Sequence, residues 1–150
     1  TSSLPLPEWK GIVTEIEIDC EDGYKLPLRI YSPNSTQNSS PLPVIIWYHG
    51  GGFVIGSAVG DHAKCVLLSF ISGYIVVSVE YRLAPEYMYP IPLNDSFHAF
   101  KWIHKEVHRY GGDASKTILA GESAGGNLAA SVTSINNDHI DLAGLLLFYP

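Results

Sequence analysis

Hydrophobic and polar residues along this 150-residue chain follow two regimes that change near Pro43. Before it, apolar and polar positions alternate, with Ile12, Ile16 and Ile18 set against Thr14, Glu15 and Glu17. A period of two predicts a half-exposed strand over residues 12–19. Glu21-Asp22-Gly23 reads as a turn and residues 24–31 as a second strand, which together predict an antiparallel hairpin. Residues 1–10, with Pro5, Pro7 and Trp9, read as an extended arm, and residues 32–43 as a Ser/Asn/Pro linker.

After Pro43 the apolar residues come in continuous runs. Residues 44–48, 74–79, 117–120 and 142–149 predict strands buried on both faces. Helical spacing fills the gaps between them. A helix over about 61–72 is apolar at Val66, Leu67, Phe70 and Ile71 and is stopped by Gly73. A Pro-rich loop through Pro85, Pro90 and Pro92 leads to a second helix over about 93–110, with Leu93, Phe97, Phe100, Ile103 and Val107 on one face. A third, from Ala124 to about Ile135, repeats apolar residues at Ala124, Leu128, Val132 and Ile135. Alternating strands and helices predict an α/β fold: a mostly parallel sheet, helices on both faces, and an N-terminal antiparallel hairpin. The expected organisation is an arm, hairpin and linker over 1–43 and a βαβ core over 44–150.

Composition narrows the possible partners. A net charge of −6 with no basic run argues against nucleic acid and anionic membrane surfaces. No apolar stretch reaches transmembrane length, and no signal-peptide pattern opens the chain. Cys20 and Cys65 make no disulfide framework and read as buried thiols. Asn34, Asn38 and Asn94 each begin a glycosylation sequon. They matter only in a secretory protein, so the compartment stays open, with the cytoplasm as the default.

Two glycine-rich stretches carry the candidate chemistry. Gly121-Glu122-Ser123-Ala124-Gly125 lies between a predicted strand and a predicted helix. A sharp strand-to-helix turn crowds its central residue with neighbouring backbone, and glycine two positions either side relieves the crowding. Such a turn lifts the Ser123 hydroxyl off the sheet, beside the free N–H groups of the new helix. That is the setting of a nucleophilic serine. His49-Gly50-Gly51-Gly52-Phe53 follows the first buried strand, at the strand end where open α/β sheets bind ligands. A phosphate-binding loop would need Gly-Lys-Ser/Thr or Gly-x-Gly-x-x-Gly, and neither is present. Paired with the serine turn, the run reads as an oxyanion hole in which the N–H groups of Gly51, Gly52 and Ala124 face a tetrahedral intermediate.

These residues, with Tyr81-Arg82-Leu83-Ala84-Pro85-Glu86, Tyr89-Pro90, Asp95, Ala99, Trp102 and Gly126-Asn127, resemble the hormone-sensitive-lipase branch of the α/β-hydrolases over about residues 40–150. Phe53 and Glu122 stand where that family more often has Trp and Asp. The resemblance implies a serine carboxylesterase or lipase acting on small acyl esters, with no metal or organic cofactor. It gives His49 and Gly50 a structural role. It has Tyr81, Arg82 and Glu86 brace the glycine loop through hydrogen bonds and an ion pair. Gly121 and Gly125 shape the turn, and Phe53 is a candidate pocket wall. Glu122 reads as a solvated or Arg-paired carboxylate.

The family's acid and base follow the nucleophile in chain order, after strands beyond residue 150. None of His49, His62, His98, His104, His108 and His139 reads as the base, so the chain is expected to be the N-terminal part of an incomplete α/β-hydrolase domain. Two other readings stay open: a ligand-binding relative that keeps the pocket without turnover, and an inactive truncated product. Acyl length, leaving group and oligomeric state have no signature in the sequence.

Overall fold

The computed structural model describes residues 8–33 and 40–150. The first seven residues of the expected arm, and the sequons at Asn34 and Asn38, lie outside the described residues. The alternating stretch forms β1 (Ile12–Asp19) and β2 (Lys25–Ser32), an antiparallel hairpin in which Ile16 faces Leu28. The turn between them is closed by hydrogen bonds from Cys20 N to Tyr24 O at 2.8 Å and from Tyr24 N to Asp22 Oδ1 at 3.1 Å. Beyond the linker come β3 (Leu42–Tyr48), α1 (His62–Ser72), β4 (Ile75–Val79) and α2 (Ile91–Glu106). A 3-10 turn, Val107–Tyr110, then leads to β5 (Gly112–Glu122), α3 (Ala124–Ser134) and β6 (Gly144–Phe148).

One six-stranded sheet results, in the order β1-β2-β4-β3-β5-β6. β2 is antiparallel to both of its neighbours, while β4, β3, β5 and β6 run parallel. Register matters most at the carboxyl ends. Tyr48 lies level with Val79 on one side and Gly121 on the other, and Gly121 is level with Leu147. The loops leaving β4, β3 and β5 therefore emerge side by side at one edge of the sheet.

The parallel strands are covered unequally on their two faces. Val44, Ile46 and Tyr48 point with Ile75, Val77 and Val79 into the larger cluster, which α2 and α3 seal with Phe100, Ile103, Leu128 and Val132. Ile45, Trp47 and Val76 point the other way, onto Cys65 and Val66 of α1. Both cysteines are free, Cys65 buried and Cys20 half-buried. Burial pushes the Cys65 thiol up to about 12, consistent with an inert core residue.

Three differences from the sequence reading have physical causes. In α1 the inward stripe is Cys65, Val66 and Ser69, while Leu67, Phe70 and Ile71 face outward, Ile71 being 73 % exposed. The helix carries two stripes at helical spacing, and periodicity alone does not choose between them. α2 starts two residues earlier than its apolar face suggests, because Pro92 suits a first helical turn, where its missing N–H is not needed. β5 is longer than the apolar run at 117–120 because its polar start pairs with Leu42 across a register shift. The third sequon, at Asn94, falls inside α2, where Ser96 is fully buried and donates to Pro92 O at 2.8 Å. Among the described residues, no helix is long and apolar enough to cross a membrane.

Leu145, Leu146 and Phe148 on the edge strand β6 are each about two-fifths exposed, at 42, 40 and 38 %. An apolar edge with unpaired backbone groups recruits other chains. A polypeptide of residues 1–150 is therefore expected to self-associate at micromolar concentration. Size-exclusion chromatography with light scattering checks this, and a monodisperse 16.4 kDa species would contradict it.

Candidate active site

Ser123 sits between β5 and α3 with φ 52° and ψ −120°, a backbone conformation that costs a non-glycine residue about 1–3 kcal/mol. Its surroundings hold it there. Ser123 N–H donates to Phe148 O at 2.9 Å, and Ser123 O accepts from Asn127 N–H at 3.0 Å. Close packing accounts for the flanking glycines. A Cβ on Gly125 would run into the Tyr48 carbonyl oxygen and lie 2.5 Å from His49 O. One on Gly121 would strike the Gly125 carbonyl. The first turn of α3 thus lies directly on the backbone end of β3.

That contact puts the elbow beside the glycine run. Gly51 and Gly52 have φ of 127° and 63°. Gly51 O accepts from Val54 N–H at 3.1 Å and Ile55 N–H at 3.0 Å, closing a tight turn. Among the described residues, the N–H groups of Gly51, Gly52 and Ala124 donate to no acceptor. Gly52 faces open space, and with Phe53, Met88, Leu93, Asn127 and Leu128 it lines a mostly apolar cavity of about 570 Å³.

His49 is buried and stacks on Tyr81, with ring centroids 4.2 Å apart and planes 10° apart. Its Nδ1–H donates to Gly50 O at 2.7 Å, and the Tyr81 hydroxyl donates to His49 O at 2.6 Å. Burial, with the charges of Asp61 and Glu80 adding to it, raises the Tyr81 pKa and keeps that hydroxyl a donor. These contacts fix the buried His49 ring within the loop. A second tie runs from Ala84 N–H to Phe53 O at 2.8 Å.

Arg82 anchors the segment that supplies these ties. Its Nε and Nη2 clasp Asp95 Oδ2 and Oδ1 at 2.9 and 2.7 Å, and Nη2 also meets Asp22 Oδ2 at 2.8 Å. The guanidinium lies over the Tyr24 and Tyr87 rings, 4.2 and 5.0 Å from their centroids. Its hydrogen bonds to the Asp95 carboxylate raise its pKa further. Glu86, expected to share in the brace, is exposed and forms no ion pair among the described residues. Asp95 and Asp22 take that place because α2 and the hairpin turn deliver them to Arg82, while Glu86 points away. Glu122 is also paired otherwise than expected: Lys64, not an arginine, meets its Oε1.

Asp95 and Lys64 each carry a signal in the sequence beyond the family resemblance. Asp95 is a carboxylate on the buried, largely apolar face of α2. Lys64 is a cation in the first turn of a helix, where the dipole disfavours it. None of the six histidines hydrogen-bonds Ser123. His62 meets the Tyr31 hydroxyl at 3.2 Å, His98 lines a separate polar cavity beside Arg82, and His108 is bonded to Lys105 O at 3.0 Å.

A strand-to-helix elbow at Ser123 beside a glycine loop, on a sheet of this topology, points to a class of hydrolases. A family model described as "alpha/beta hydrolase fold" matches residues 45–150, and the chain belongs to that family, the hormone-sensitive-lipase-like esterases. It is 38 % identical over 128 residues to the carboxylesterase NlhH of Mycobacterium tuberculosis, covering 83 % of this chain and 39 % of the relative. It is 37 % identical over 129 residues to an arylesterase of Saccharolobus solfataricus, covering 86 % and 41 %. A solved bacterial heroin esterase superposes with a TM-score of 0.85 at 36 % identity, over 91 % of this chain and 44 % of that one. The chain thus spans about two-fifths of the length of the curated relatives it matches.

Removing the Asp95 carboxylate would strand a buried guanidinium. Asp95→Ala is expected to cost about 3 kcal/mol, near the low end for a broken buried pair because Asp22 keeps one contact. Urea denaturation of the variant against the unmutated protein measures it, and a change under 1 kcal/mol would remove Arg82 from the brace.

Proposed function

We propose that this chain carries the nucleophile and oxyanion hole of a serine carboxylic ester hydrolase, with the acid and base supplied by chain past residue 150. The observation that supports this best is the pairing of a strained, hydroxyl-bearing turn at Ser123 with three backbone N–H groups, of Gly51, Gly52 and Ala124, that have no acceptor among the described residues. In this reading Ser123 Oγ loses its proton to the base as it attacks the ester carbonyl carbon. The carbonyl oxygen becomes an oxyanion held by the three donors. Collapse of the intermediate expels the alcohol, which takes the proton from the base. Water, activated by the same base, then attacks the acyl-enzyme, releases the carboxylic acid and restores Ser123.

Preorganised donors suit this task because they need not reorient as charge develops. The 570 Å³ cavity beside Gly52 and Phe53 suits the apolar part of a small ester. Relatives named carboxylesterase, esterase and arylesterase lend the reading weight. A ligand-binding relative without turnover would need the cavity but not a strained serine facing unused donors, so that reading takes second place.

Both tests use a chain extended to the length of its relatives. Ser123 is expected to take up a fluorophosphonate probe stoichiometrically, and Ser123→Ala to abolish the mass increase in intact-protein spectra. Labelling that survives the substitution would point to another nucleophile. Gly52→Val has room for its side chain, but a β-branched residue resists φ near 63°, so the donor should swing off target. The expected result is a kcat about 10²–10³ lower with KM little changed, as for loss of one oxyanion donor. A change confined to KM would make Gly52 a pocket wall instead.

A further inference from the structure

Glu122 immediately precedes Ser123, and its side chain lies against the glycine loop. A Cβ built on Gly50 would be 3.1 Å from Glu122 Cγ and 3.4 Å from Oε1. The Glu122 side chain is only 17 % exposed and lies against Gly50, the residue just before the expected donors Gly51 and Gly52. A bare negative charge there would oppose the oxyanion those donors are meant to hold. Lys64, in the first turn of α1, meets Glu122 Oε1 and lies 3.0 Å from Asp61 Oδ1. Asp61 Oδ2 in turn accepts from Trp47 Nε1 at 2.7 Å, a buried bond to β3. Tyr149 donates to Glu122 Oε2 at 3.0 Å and adds no charge. Lys64 is therefore the one cation hydrogen-bonded to Glu122 among the described residues.

Its placement breaks a local rule. A cation at a helix N-terminus is disfavoured by the dipole, so a tertiary partner must offset that cost. Burial works against the Lys64 charge, and its hydrogen bonds to the Glu122 and Asp61 carboxylates outweigh that, which raises its pKa and keeps it an ammonium.

We infer that Lys64 is a positioning residue of the hydrolase site: it neutralises Glu122 and pins it beside Gly50, so that the oxyanion hole works without a competing negative charge. The inference rests on the esterase reading above. The link runs from Trp47 through Asp61 and Lys64 to Glu122, so α1 is tied to the two strands whose ends carry the glycine loop and the elbow.

The test is steady-state hydrolysis of p-nitrophenyl butyrate by the relative-length chain, with thermal melts on each variant. Lys64→Met is expected to lower kcat about tenfold with KM nearly unchanged, because the unpaired carboxylate acts on the developing charge. Lys64→Arg should hold kcat within about threefold. The decisive variant is Lys64→Met/Glu122→Gln, which restores no bond but removes the stray charge and should recover most of the lost kcat. A structural role alone would leave the double variant as impaired as the single one, and that result overturns the inference. So would a Lys64→Met loss that merely follows loss of fold in the melts, or a Lys64→Met with full kcat while the unmutated protein is active. An inactive unmutated protein would overturn the esterase reading together with this one.

Discussion

The contact between the first turn of α3 and the end of β3 is the constraint on which the rest of the site depends. Gly125 lies so close to the Tyr48 and His49 carbonyls that no side chain fits between them. Parallel pairing of β3 with β5, Tyr48 level with Gly121, brings the two loops together. The glycine contact then removes the last ångströms. That approach places the first turn of α3, with Ser123 at φ 52°, against the backbone at the start of the glycine loop. The strain at Ser123 is local, about 1–3 kcal/mol, and it persists because α3 is docked by Leu128, Ala129 and Val132 in the larger core. Burial of a few such side chains outweighs a strain of this size.

Rigidity of the glycine loop comes from outside the loop. Glycines make the run permissive, which is a weakness where geometry must be held. The loop is fixed by Tyr81, which bonds the His49 carbonyl and stacks on its ring, and by Ala84, which bonds Phe53. Both belong to the segment after β4, which Arg82 fastens to α2 and to the hairpin through Asp95 and Asp22. The N-terminal hairpin thus helps hold the glycine loop, two strands away across the sheet.

What was legible in the sequence was what local pattern encodes. The alternation at 12–19, the apolar runs and the two glycine-rich turns each carry their own signature, and the strands and helices formed from them stand within a few residues of where the pattern puts them. The misreadings concern choices made at long range. Leu67, Phe70 and Ile71 form as good a stripe as the one α1 buries, and only the sheet decides between them. Glu86 is near Arg82 in the chain, whereas Asp95, 13 residues on, reaches it from the buried face of α2. Lys64 and Glu122 are 58 residues apart, a separation over which no periodicity speaks.

The topology also bears on how a base could reach Ser123. β4, β3, β5 and β6 end level with one another, and β6 has a strand neighbour on one side only among the described residues. The glycine loop and its brace follow β3 and β4 on one side of the elbow, and the cavity lies between them and α3. A strand added parallel to β6 at its open edge would end at the same height, and its following loop would approach Ser123 from the other side. In the proposed reading, a base carried on that loop would approach the Ser123 hydroxyl from the β6 side. The turn at Ser123, bonded to Phe148 O of β6 and packed through Gly125 on the end of β3, would be the point where the two sides meet.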